Sequence, residues 1–177
     1  MKLLLHSCCA PCSAAIIEYL LQINIKPVIF YFNPNIFPKE EYEKRKNELT
    51  KYAAMLNLEV IDGDYNHDLW LSEVKNFENE PERGIRCMKC FSIRLSATAK
   101  FAHENGFDTI TSTLGSSRWK NLKQISEAGK AAVEPFTGLT FWDKNWRKDG
   151  LSERRNFLIH TNNFYNQVYC GCEFSVK

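Results

Sequence analysis

The chain has 177 residues, 44% hydrophobic and 25% charged, with a net charge of +2. That length suits one domain with a full core and is short for two, so residues 1–177 are expected to form a single domain. The near-zero charge excludes a globally basic nucleic-acid binder, and no stretch approaches the ~20 apolar residues of a membrane span.

A secretory leader would need an apolar run of about 7–15 residues, and Leu3-Leu4-Leu5 is cut short by His6. A cytoplasmic protein is expected. The same Leu run predicts a buried first strand. A helix is predicted over 13–22, with Ala14, Ile17, Leu20 and Leu21 on one face. Pro27–Phe32 predicts a second strand, and Asn33-Pro34-Asn35 a turn. A long charged helix is predicted over 39–56, with Lys39 to Arg45 on its solvent face. A third strand follows over 58–61, then a shorter helix near 67–77.

Residues 79–84 read as a loop leading to Cys87, with a helix over 90–105 closed by Gly106. Phe107–Ser112 predicts a fourth strand. Ser116 and Ser117 are candidate caps for a helix over 119–132. A strand is expected near 137–142 and a last helix over 152–162. Strands alternating with helices predict an α/β fold with a mostly parallel sheet. Ligands of such sheets bind beyond the carboxyl ends of the strands.

All seven cysteines fall in three groups: Cys8, Cys9 and Cys12; Cys87 and Cys90; Cys170 and Cys172. Disulfides are rare in a reducing cytosol, and seven leaves one thiol over. Metal or redox use is favoured. The first group follows the first strand, where nucleotide-binding folds carry a glycine-rich loop. Neither G-x-G-x-x-G nor G-x-x-x-x-G-K-[ST] is present, which argues against a nucleotide there.

Three chemistries fit the residues. A structural zinc would take Cys9 and Cys12 with Cys87 and Cys90 as two C-x-x-C knuckles, leaving three thiols over. A four-iron cluster also takes four and leaves three for a second metal. A dithiol redox enzyme needs one C-x-x-C, not three converging groups. In extended chain, the vicinal Cys8-Cys9 would face opposite ways and serve two adjacent metals.

Several motifs occur in order: His6-x-Cys8-Cys9-Ala10-Pro11-Cys12; Tyr31-Phe32-Asn33-Pro34-Asn35-Ile36 with Glu41-Tyr42 and Lys44-Arg45; Arg86-Cys87-Met88-Lys89-Cys90; and Cys170-Gly171-Cys172. Together with Thr111–Asn121 and Phe141–Lys148, this set resembles the QueH-type epoxyqueuosine reductase family over residues 3–175. The resemblance implies a HUP-like, Rossmann-like α/β fold with flanking helices and a metal site at the strand ends. It implies reduction of the epoxide of epoxyqueuosine at the tRNA wobble position. It also implies a 4Fe–4S cluster beside a single metal ion, iron or zinc, and an electron donor that the sequence does not identify. Cys12 stands where some family members carry Asp, a softer ligand in place of an oxygen.

On this reading Cys87 and Cys90 bind the cluster and Cys12 the single metal, while Cys8, Cys9, Cys170 and Cys172 divide between them. Residues 81–155 carry 14 Lys and Arg against 8 Asp and Glu, a candidate basic face. Within it, Arg118, Trp119, Lys120, Trp142, Trp146, Arg147 and Lys148 are candidate contacts to a tRNA with a queuosine-type anticodon. Asn33 and Asn35 are candidate substrate residues beside the first cysteine loop. His6 and Asp143 are candidate proton donors, with His160 a weaker one. The competing reading is a zinc-stabilised RNA-binding module without catalysis.

Overall fold

The computed structural model describes residues 1–175. One sheet contains β1 (Leu3–His6), β2 (Val28–Tyr31), β3 (Val60–Asp62), β4 (Thr109–Ser112) and β5 (Thr140–Phe141). All pairings are parallel, in the order β3-β2-β1-β4-β5. The helices are α1 (Ala10–Gln22), α2 (Lys39–Met55), α3 (His67–Glu73), α4 (Ile85–Glu104), α5 (Leu122–Val133) and α6 (Leu151–Thr161).

Both faces of the sheet are covered, which is why β1 reads as an unbroken apolar run. Leu3 and Leu5 project to one side and meet Ile17, Leu20, Leu49 and Leu158 from α1, α2 and α6. Leu4 projects to the other and meets Phe91, Leu95, Ile125 and Ala128 from α4 and α5. Burying each such leucine contributes roughly 1.5–3 kcal/mol. Helix α5 sits close on β5 because Gly129 has no side chain: a Cβ there would lie 2.3 Å from the Phe141 ring.

The chain runs from β1 outward to β2 and β3, then returns to β4 on the opposite flank of β1. A doubly wound sheet opens its ligand crevice at that reversal, beyond the carboxyl ends of β1 and β4. Cys8 and Thr113 lie just past those two ends.

Several helix boundaries differ from the sequence expectation. Helix α1 starts at Ala10, three residues early, because Pro11 is tolerated in a first turn whose N–H groups lack partners. Helix α4 starts at Ile85 behind Gly84, so Cys87 and Cys90 both sit on it. Helix α5 is capped by Asn121, whose Oδ1 accepts from Lys123 N at 2.9 Å. Ser116 and Ser117 do not cap it; a short 3-10 turn spans Thr113–Ser116 instead. No helix among the described residues is long and apolar enough to cross a membrane.

Candidate metal centre

The first cysteine group is built by the β1–α1 junction. Ser7 N still bonds Phe30 O at 3.0 Å, continuing the strand, and the chain then bends at Cys8. Cys9 is the extended N-cap residue of α1, and Cys12 lies in the first helical turn. This bend overturns the expectation of opposed vicinal thiols. The ligand atoms of Cys8, Cys9 and Cys12 all lie within 4.8 Å of one another, and Cys8 and Cys9 Sγ are 3.8 Å apart. All three are buried. Cys8 N donates to Thr113 Oγ1 at 3.4 Å, tying the group to the end of β4.

The thiols differ in acidity. Hydrogen bonds from Cys12 and Cys9 hold Cys8 well below the usual thiol range, with help from Lys120 and Arg94. Burial pushes Cys9 up, and the bond that Cys12 gives Cys8 pushes Cys12 up. Soft sulfur donors packed this closely suit a thiophilic metal.

The other four cysteines surround a separate cavity of about 30 Å³. Cys87 and Cys90 come from the start of α4, and Arg83 N donates to Cys87 Sγ at 3.2 Å. Cys170 and Cys172 flank Gly171, whose φ of +109° opens a turn that other residues rarely adopt. Arg45 Nη1 donates to Cys170 O at 3.2 Å and Phe37 N to Gly171 O at 2.9 Å, fixing that turn. A hydrogen bond from Cys172 holds Cys170 well below the ordinary range, and the same bond pushes Cys172 up. The pairing of Cys9 and Cys12 with Cys87 and Cys90 as one zinc site is therefore not what the fold builds. Among the described residues, Cys8, Cys9 and Cys12 gather closely, while the other four line one cavity, with Cys170 also facing the cleft beside the first three.

The four-thiol cavity carries two unpartnered donors. Trp70 Nε1 and Arg94 Nε are buried with no hydrogen-bond partner, and both residues line it. Each side chain is 1% exposed. An orphaned buried polar group costs about 1–3 kcal/mol. Burial raises Cys90, while the charge of Arg94 and the nearby N–H groups of Trp70 and Arg94 pull it down, although neither donor reaches its sulfur in full hydrogen-bond geometry. Thiolates around metal and sulfide would give these donors acceptors, so the residues present fit an anionic cluster.

Beyond the first cysteine group lies an open cleft of about 560 Å³. Arg45, Arg118, Lys120, Arg147 and Arg155 line it, and no Asp or Glu among the described residues does. Trp119, Lys120 and Cys170 line both the cleft and the four-thiol cavity. The charge of Lys120 lowers Cys8, Cys12 and Cys170, so one cation acts on both thiol groups. The 115–120 segment is held by carbonyls: Arg147 donates to Gly115 O at 3.0 Å, to Lys120 O at 2.7 Å and to Ser117 O. Arg83 donates to Arg118 O at 2.9 Å and Trp119 O at 3.2 Å.

Other candidates lie elsewhere. Trp146 is 2% exposed, packed edge-on against Tyr19 and Trp142, so its face is closed to a nucleobase. Trp142 packs partly buried against the same core. Lys148 is exposed and lies outside the cleft lining. Asn33 spends its amide on Ser7 O at 2.9 Å and its carbonyl on Arg94 at 2.5 Å, bracing the site from behind. Asn35 lines the four-thiol cavity, with Oδ1 unpartnered.

His6 is fully buried, with Nε2 donating to Phe32 O at 3.1 Å and Nδ1 accepting from Ser112 Oγ at 2.8 Å. Burial and the charge of Arg94 push it down to about 3. It is neutral and holds β1 to β4 rather than carrying a spare proton. Asp143 lines a different pocket, bonded to Ser126 and to Lys130 at 3.0 Å. His160 is exposed at the end of α6.

The expectation that Lys39 to Arg45 form a solvent face fails at Tyr42 and Arg45, which are buried, and sequence reasoning passed over Trp70, Arg94 and Arg155. A signal for Arg45 and Arg94 existed: Tyr42, Arg45, Leu49 and Tyr52 share one buried helical face, as do Phe91, Arg94, Leu95 and Thr98. A cation inside an apolar stripe has a buried partner to serve.

A Rossmann-like α/β sheet with a buried cysteine site at its switch point defines the broad class. The family model described as "Epoxyqueuosine reductase QueH" matches residues 3–177. An epoxyqueuosine reductase QueH of Acinetobacter baylyi is 47% identical over 99% of this chain and 81% of its own length. That of Haemophilus influenzae is 46% identical, over 99% and 72%. That of Thermotoga maritima is 36% identical, over 98% and 89%. The chain belongs to the epoxyqueuosine reductase QueH family, a family of oxidoreductases.

Proposed function

We propose that residues 1–177 act as one reductase domain that converts the epoxide of epoxyqueuosine, at the wobble position of a tRNA in the cytoplasm, to the cyclopentene of queuosine. The epoxide takes up two electrons and two protons, both C–O bonds break, a C=C bond forms, and the oxygen leaves as water. The electrons come from an external one-electron carrier. The observation that carries this reading is the separation of three thiols from four across a shared wall, in a chain of this family.

Cys87, Cys90, Cys170 and Cys172 would hold a 4Fe–4S cluster, and Cys8, Cys9 and Cys12 a single metal, iron or zinc. When bound, these groups supply electrons and a Lewis-acid position for the oxygen. The chain's own residues do the rest. Arg118 and Arg155 offer cationic edges to backbone phosphates, and Trp119 offers a ring beside the three-thiol group for an unstacked base. Lys120 brings positive charge between the two thiol groups, where negative charge accumulates. The wall of α6 and residues 166–169 closes the far side of the cleft.

Anaerobic purification with iron, zinc and sulfide analysis, followed by nucleoside analysis of epoxyqueuosine-containing tRNA under a low-potential reductant, tests the reading. Brown protein with acid-labile sulfide and conversion to queuosine is expected. Colourless zinc protein without sulfide that binds tRNA and leaves the epoxide intact would favour the RNA-binding module instead.

A further inference from the structure

We propose that Trp70 and Arg94 are positioning residues of the four-cysteine site: their indole and guanidinium N–H groups donate to sulfur of the bound cluster and raise its reduction potential. This rests on the cluster assignment above and says what tunes that cluster.

Two donors meet one cavity from different elements, Trp70 from α3 and Arg94 from α4. Both side chains are buried, and their remaining contacts do not use these N–H groups. Arg94 spends Nη2 on Asn33, which orients the guanidinium and leaves Nε free. Trp70 packs between His67 and Phe174, so its ring direction is fixed by stacking.

The other arginines at this cavity are committed elsewhere. Arg86 Nη1 donates to the carbonyls of Phe77, Glu78 and Glu80, and Arg83 to those of Arg118 and Trp119. Alongside Lys120, which also lines this cavity, Trp70 Nε1 and Arg94 Nε are thus buried donors left to answer new negative charge among the described residues.

Adding an electron makes the cluster sulfurs more negative, and N–H donors stabilise that form more than the oxidised one. Hydrogen bonds to the sulfurs are one of the protein's levers on cluster potential. A buried guanidinium adds its full charge to the same effect.

The test is an anaerobic potentiometric titration of the reconstituted protein, following the reduced cluster by electron paramagnetic resonance. Trp70→Phe removes the N–H and keeps a ring; Arg94→Lys keeps the charge and removes Nε. Potential is read on the loaded fraction, so partial occupancy does not blur the result. Each variant is expected to weaken reduction about tenfold, a shift of ~59 mV to lower potential for one electron. Potentials indistinguishable from wild type in both variants would overturn the proposal while leaving the reductase reading intact. Wild-type protein that takes up no sulfide-containing cluster would remove the cluster assignment and this inference together.

Discussion

Arg45, in the middle of α2, donates to the carbonyl of Cys170 at 3.2 Å across most of the chain. A second nitrogen reaches Tyr169 O at 3.3 Å, and Glu41 pairs with the same guanidinium at 2.7 Å. One buried cation thus sets the backbone that presents two of the thiols. Arg45→Gln leaves Glu41 without its partner and the turn without its brace. We expect a loss of about 3 kcal/mol, in the range for breaking one side of a buried ion pair. Anaerobic urea unfolding measures it, and iron content should fall in parallel.

Gly171 has a parallel role. Its φ is +109°, and a Cβ would approach Ile36 Cγ1 to 2.9 Å and Arg45 Nη1 to 3.1 Å. Gly171→Ala should destabilise the protein by about 1–3 kcal/mol, the scale of local backbone strain. Sulfide content should drop more than the zinc or iron held by Cys8, Cys9 and Cys12.

The two thiol groups should be separable by mutation. Cys12→Ala should remove the single metal and leave four iron and four sulfide per cluster, because Cys12 lies outside the four-thiol cavity. Cys87→Ala should do the reverse, abolishing sulfide. Elemental analysis with sulfide assay on both variants gives the answer; equal loss of both centres in each would contradict the grouping.

Binding of tRNA should depend on Arg118 and Arg155. Both line the cleft, and Arg155 uses only Nε, on Pro11 O at 3.1 Å, within the protein. Each charge removed should reduce the slope of log affinity against log salt by about 1 unit. Arg118→Gln and Arg155→Gln are compared with Lys148→Gln, which lies outside the cleft and should leave the slope unchanged.

Much of this was legible in the sequence for definite reasons. Leu3–Leu5, Pro27–Phe32 and Phe107–Ser112 are short β-rich runs bounded by turns, and each became a strand buried on both faces. The cysteine groups announced a site because their spacing is local. Two helix starts were placed too late, where the first turn carries the chemistry: α1 opens at Ala10 with Pro11 in its first turn, and α4 opens at Ile85 behind Gly84. Trp146 looked available because aromatic and basic residues alternate there; only packing against Tyr19 shows that it is core. Arg45 and Arg94 were hidden because a charged residue on a helix is read as surface unless its neighbours on the same face are weighed. A four-plus-three division was expected from the cysteine count, but which of Cys8, Cys9, Cys170 and Cys172 falls on which side could not be read, since it depends on distances between segments far apart in the chain.

The thiols of the four-cysteine cavity are drawn from residues 87–90 and 170–172, and its shared wall from residues 119–120. During synthesis the first two of these thiols emerge well before their partners. At the usual pace of translation, the ribosome needs on the order of ten seconds to extend from residue 87 to residue 172. Through that interval Cys87 and Cys90 lack the second pair, so under the proposed assignment a cluster would be delivered to this site after completion of the Cys-Gly-Cys turn rather than during growth of the chain.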